Sequence, residues 1–144
     1  MLSGRFNKKE MKEFIQEVKE KLEAKGVPAY MVQAGPSQTF NNRTVEGMYC
    51  AKKLVAFCTE DYGAKTGAGY ETYFELQKAW EKQLPIIPIR LCEAWPPQPR
   101  DSDGGEAGKM QNDFILSSSL VYIDGRKMPI DELVSAIEDA WHSD

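Results

Sequence analysis

A chain of 144 residues with a net charge of −4 has the size of one domain, enough for a hydrophobic core, and lacks the basic balance of a nucleic-acid binder. No apolar run approaches the roughly 18 residues of a membrane-spanning helix, and no signal-peptide pattern opens the chain. Cys50, Cys58 and Cys92 are odd in number and widely spaced, which fits reduced thiols in the cytoplasm and neither a disulfide framework nor a zinc site.

Residues 1–3 read as the tail of a strand beginning at the initiator methionine, as expected of a piece of a longer protein or of a minimal chain. Residues 4–7 read as a loop. Met11, Phe14, Ile15, Val18 and Leu22 recur at helical spacing and predict an amphipathic helix over 8–25, stopped by Gly26. The lysines of this helix interleave with glutamates, the pattern of a solvated face. A short strand is predicted over 27–32, a polar loop over 33–42 and a short helix over 44–52.

Residues 54–58 form a continuous apolar run, the mark of a central strand covered on both faces. A glycine-rich loop over 59–69, a helix over 70–82 and a strand over 85–91 follow. The stretch from 92 to 113 reads as a long loop, functional or mobile by its length. A last strand is predicted over 120–123 and a closing helix over 129–141.

Five strands alternating with helices predict an α/β fold: a flavodoxin-like three-layer sandwich with a five-stranded parallel sheet, as one domain over 1–144. Right-handed crossovers put every strand-to-helix loop on one edge of that sheet, where a single composite pocket could use them all.

Several chemistries are excluded. Ser3-Gly4-Arg5 cannot supply the acidic pair of a phosphoacceptor receiver, and neither GxGxxG nor GxxxxGK[ST] is present. The one histidine, His142, sits at a terminus, which removes Ser-His and Cys-His nucleophiles. Carboxylate chemistry remains. A leaving group that already carries positive charge, such as the nicotinamide of NAD, departs neutral without a proton donor. One carboxylate holding the ribose and stabilising an oxocarbenium-like transition state then suffices. Glu71 and Glu75, at the start of the 70–82 helix, are the candidates. With Lys78 and Lys82 they also read as a solvated stripe in which glutamate favours the helix dipole.

The chain resembles a TIR (Toll/interleukin-1 receptor) domain over nearly its whole length. Met1-Leu2-Ser3-Gly4-Arg5 is similar to the family's opening strand, usually F-I-S-Y-R, with Gly4 in place of the tyrosine. Residues 26–32 resemble the second strand, and 33–42 take the place of the BB loop, with Gly35-Pro36-Ser37 where an acidic stretch is customary. Leu54 to Thr59 resembles the third strand; Pro85-Ile86-Ile87-Pro88-Ile89 and Glu93-Ala94-Trp95-Pro96 resemble the fourth strand and its W-P. In Tyr73-Phe74-Glu75-Leu76, Glu75 falls where NAD-cleaving members carry their catalytic glutamate. Position 71, where an aromatic is frequent, holds Glu, and Tyr70 is the nearest substitute.

The resemblance implies NAD cleavage at the nicotinamide–ribose bond by Glu75, with NAD as substrate, no metal and no cofactor. Ser3, Gly4, Arg5, Phe40, Tyr70 and Trp95 would shape the pocket. It also implies a cytoplasmic, immunity-type signalling role and activity on self-association, a neighbour's BB loop completing the site. Each residue keeps its plainer reading: Arg5 in an ion pair with a helix glutamate, Phe40 as a loop anchor, Trp95 at an interface or capping a strand. Trp80 reads as core, and Cys58 and Cys92 as small buried hydrophobes. The alternatives to the NAD-cleaving enzyme are a non-catalytic TIR interaction module and a nucleoside deoxyribosyltransferase-like enzyme, which also uses a single glutamate.

Overall fold

A computed structural model describes the chain at residues 1–5, 8–31, 50–66, 72–117 and 120–143. Its strands are all parallel, in the order β1 (Leu2–Ser3), β2 (Leu54–Cys58), β3 (Ile86–Arg90) and β4 (Ile123–Asp124). They are flanked by α1 (Lys9–Ala24), α2 (Thr72–Glu81), α3 (Ala107–Ile115) and α4 (Ile130–His142).

The layers follow from alternation along β2, whose side chains point to opposite faces in turn. Val55 and Phe57 pack with Leu2, Ile87 and Ile89 against α1 and α4. Leu54, Ala56 and Cys58 pack with Leu76 and Ala79 of α2 and with Ile115 of α3. Both faces are covered, so all of β2 is buried, as its apolar run predicts. Helix α1 buries Ile15, Val18 and Leu22 and ends where expected; Gly26, at φ 81°, takes the left-handed conformation that glycine adopts most easily.

Four predicted elements need correction. Residues 27–31 do not form a regular strand, and Val32 lies outside the described residues. Pro28 has no N–H for a ladder; the link that remains is Leu2 N donating to Tyr30 O at 2.7 Å. That bond lies on the side of β1 away from β2, where the second strand of a flavodoxin-like sheet belongs. The described sheet therefore has four strands where five were predicted.

The stretch 92–113 is not loop throughout, because 107–115 forms α3. The inward residues of α3 are Gly108, Asn112 and Ile115, so no apolar period announces it. The last strand lies at Ile123–Asp124, with 121 and 122 irregular. Of the helix predicted over 44–52, Cys50 is helical, 51 and 52 are not, and 44–49 lie outside the described residues. The polar loop over 33–42 lies outside them too.

Candidate active site at the carboxyl edge of the sheet

In the β1–β2 register Ser3 stands opposite Ala56, so its side chain shares the face that looks toward α2. Ser3 is fully buried and its Oγ donates to Glu75 Oε1 at 2.6 Å. The same Oγ lies 2.8 Å from the phenol oxygen of Tyr62, which is also fully buried, in the loop after β2. Glu75 belongs to the inward stripe of α2, with Thr72, Leu76 and Ala79, and is 1% exposed. The solvated-stripe reading of Glu75 is thereby excluded. Glu71 lies outside the described residues.

The loop that carries Tyr62 is clamped from three sides. Gly63, at φ 89°, donates its N–H to Thr72 Oγ1 at 2.7 Å. Asn112 Nδ2 donates to Tyr62 O at 2.8 Å and to Pro97 O at 3.0 Å, joining the loops after β2 and β3 to α3. Gly108 packs so closely that a Cβ there would collide with the Gly63 carbonyl. Asp101 then caps α3 from outside the helix: its carboxylate accepts from the N–H groups of Ala107 at 2.8 Å, Gly108 at 3.1 Å and Lys65 at 3.1 Å. Burial alone would raise this carboxyl. The three backbone donors, helped by the Lys65 charge, outweigh it and hold the group below its ordinary value.

Arg5 Nε lies 3.3 Å from Asp61 Oδ2, and Asp61 Oδ1 accepts from Thr59 Oγ1 at 2.7 Å. The ion-pair reading of Arg5 is met by a loop aspartate, not by a helix glutamate. Gly4 sits where α1 crosses β2: a Cβ would stand 2.6 Å from Ile15 Cδ1 and 3.5 Å from Phe57 Cβ. Trp95 packs against the α2-side cluster, its ring 4.7 Å from that of Tyr122, whose phenol oxygen accepts from Arg90 Nη1 at 2.8 Å. At the carboxyl edge Ser3 meets Glu75, while Gly4 turns to the α1 face and Arg5 to Asp61; Trp95 lies on the Glu75 side of the sheet. Phe40 and Tyr70 lie outside the described residues.

Trp80 is not core. It is 50% exposed, with its ring edge-on to Phe114 at 5.3 Å, because the buried stripe of α2 runs through 72, 75, 76 and 79. Cys58 and Cys92 are buried as expected, and burial pushes both thiols up, away from thiolate chemistry. Cavities of about 440, 470 and 620 Å³ open beside Trp141, Arg126 and Trp80, and Glu75 lines none of them. Tyr62, Asn112 and Asp101 escaped the sequence reading. The signals were an aromatic in the loop after the central strand and an aspartate ahead of a small-residue helix start.

The TIR domain profile matches residues 6–138. The chain belongs to the TIR domain family. The parallel sheet between helix layers is the flavodoxin-like architecture of that family, and TIR domains serve in signalling contacts or in NAD cleavage. Comparison with curated proteins finds no match. No described helix of this TIR domain is long and apolar enough to cross a membrane.

Proposed function

We propose that this TIR domain cleaves NAD at the nicotinamide–ribose bond as a glycohydrolase or cyclase, with Glu75 as the catalytic carboxylate. The observation that carries the reading is the burial of Glu75 at the sheet edge where ligands bind in such folds, fastened there by Ser3. Taking a carboxylate out of water costs several kcal/mol, and a hydrogen bond to a charged group returns about 1.5–3 kcal/mol. A carboxylate on the inward stripe of a helix, where an apolar side chain would pack without that cost, is the kind of placement that functional sites use.

In the reaction the nicotinamide leaves neutral, taking the electron pair of the C–N bond. Glu75 holds the ribose hydroxyls and stabilises the positive charge that grows on the sugar ring. The Ser3–Arg5 loop, Phe40, Tyr70 and Trp95 shape the pocket, and self-association in the cytoplasm completes it. The exposed Trp80–Phe114 ring pair, with Met110 64% exposed beside it on α3, favours a second reading, a TIR–TIR interaction module.

Incubation of concentrated protein with NAD, following nicotinamide release, divides these readings. Glu75→Gln is expected to lower the rate by at least about a hundredfold. Release that survives in Glu75→Gln refutes the assignment. No release by the unaltered protein, even under crowding, favours the interaction module, and base exchange on a supplied nucleoside points to a transferase.

A further inference from the structure

We infer that Tyr62 is a positioning residue for Glu75, acting through Ser3: its phenol O–H donates to Ser3 Oγ and so commits the single Ser3 hydroxyl proton to the Glu75 carboxylate. The kinetic consequence rests on the reading of Glu75 as catalytic; the hydrogen-bond order does not.

Geometry alone allows either oxygen of the Ser3–Tyr62 pair to donate. The proton count decides. Serine has one hydroxyl proton, and an ionised carboxylate only accepts. The Ser3–Glu75 separation of 2.6 Å falls in the range of a hydroxyl bound to a charged oxygen, and the Ser3–Tyr62 separation of 2.8 Å is that of a neutral pair. The Ser3 proton therefore lies toward Glu75, and the phenol must supply the other.

Tyr62 can act as a fixed donor because its backbone is held independently of Ser3. Asn112 binds its carbonyl and the next N–H binds Thr72 Oγ1, at the start of the helix that carries Glu75. Ser3 is fixed by strand register. The relay thus ties one carboxylate oxygen to two rigid elements, the preorganisation that a group stabilising a developing charge requires. The Met1 α-amino group also titrates against Glu75: burial lowers it and the Glu75 charge raises it, leaving it at about 6. It is common to every variant below.

The test is a pH titration of the Glu75 carboxyl carbon by NMR, with nicotinamide release measured alongside. The proteins are the parent, Ser3→Ala, Tyr62→Phe and the double variant. Ser3→Ala is expected to raise the Glu75 midpoint by about one pH unit, because it removes a donor to the charged form. Tyr62→Phe should move it in the same direction by less, and lower kcat about tenfold with KM nearly unchanged, the worth of one hydrogen bond. The double variant should match Ser3→Ala in both readouts, because the relay from Tyr62 to Glu75 runs through Ser3.

Additive effects in the double variant overturn the inference, as does an unmoved midpoint in Tyr62→Phe. Should Tyr62→Phe fail to fold, 3-fluorotyrosine at position 62, a stronger donor of similar volume, is expected to lower the midpoint; an unmoved or raised midpoint overturns the relay. A parent protein that releases no nicotinamide sinks the catalytic reading alone, and the titrations still decide the hydrogen-bond order.

Discussion

On one side of β2, Val55 and Phe57 meet Ile15, Val18 and Leu22 of α1 and Leu133, Val134 and Ile137 of α4. On the other, Ala56 and Cys58 present small side chains, and beside them stand Ser3, Tyr62 and Glu75. The first face is apolar throughout, with the edge-to-face pair of Phe14 and Phe57 at 6.2 Å. The second trades part of its apolar packing for a buried run of hydroxyl, phenol and carboxylate. The contrast teaches that small side chains on a central strand make the room in which polar groups can be held dry. Stability concentrates on the face that has no such room to give.

The largest expected effect tests the dry side. Phe57→Ala should lower stability in urea unfolding by about 3–5 kcal/mol, the usual loss for a buried aromatic. A loss below about 1 kcal/mol would break the contrast. Next comes the clamp on the polar side. Gly108→Ala drives a methyl into the Gly63 carbonyl and should cost about 1–3 kcal/mol while shifting the NMR signals of Tyr62. Unmoved Tyr62 signals would show that α3 does not set the loop.

The smallest effect is tied to pH. Asp101→Ala should cost about 1–2 kcal/mol at neutral pH by uncapping α3. The Asp101 carboxyl titrates lower in the fold than its ordinary 3.8, so its contribution is complete above that value. It fades as pH falls through the lowered one. The gap between parent and variant should therefore close in acid, which thermal unfolding across that range would measure.

Much of the fold was legible because its main elements are periodic and apolar. Ile15, Val18 and Leu22 marked α1, and the run 54–58 marked the sheet centre. Helix α3 was not legible, since Gly108 and Asn112 make its contacts by close approach and by hydrogen bonding, neither of which leaves a hydrophobic period. Trp80 was misread because the spacing of 73, 76 and 80 is helical too. Of these only Leu76 lies on the stripe that α2 buries; Tyr73 and Trp80 sit one position beyond Thr72 and Ala79. Glu75 could be singled out only by its register with the family pattern. That its carboxylate meets Ser3, 72 positions earlier, depends on a strand pairing that no local pattern expresses.

That pairing makes β1 a reading frame. The strand is two residues long and its side chains alternate, so a slip of one residue against β2 would exchange Leu2 and Ser3. An isobutyl group would then face the carboxylate, and the hydroxyl would be stranded among the apolar side chains of α1 and α4. The Ser3 hydroxyl is thus an index mark: the fold can place it correctly in one alignment only, and a single-residue insertion or deletion between β1 and α1 would be tolerated only if that alignment were kept.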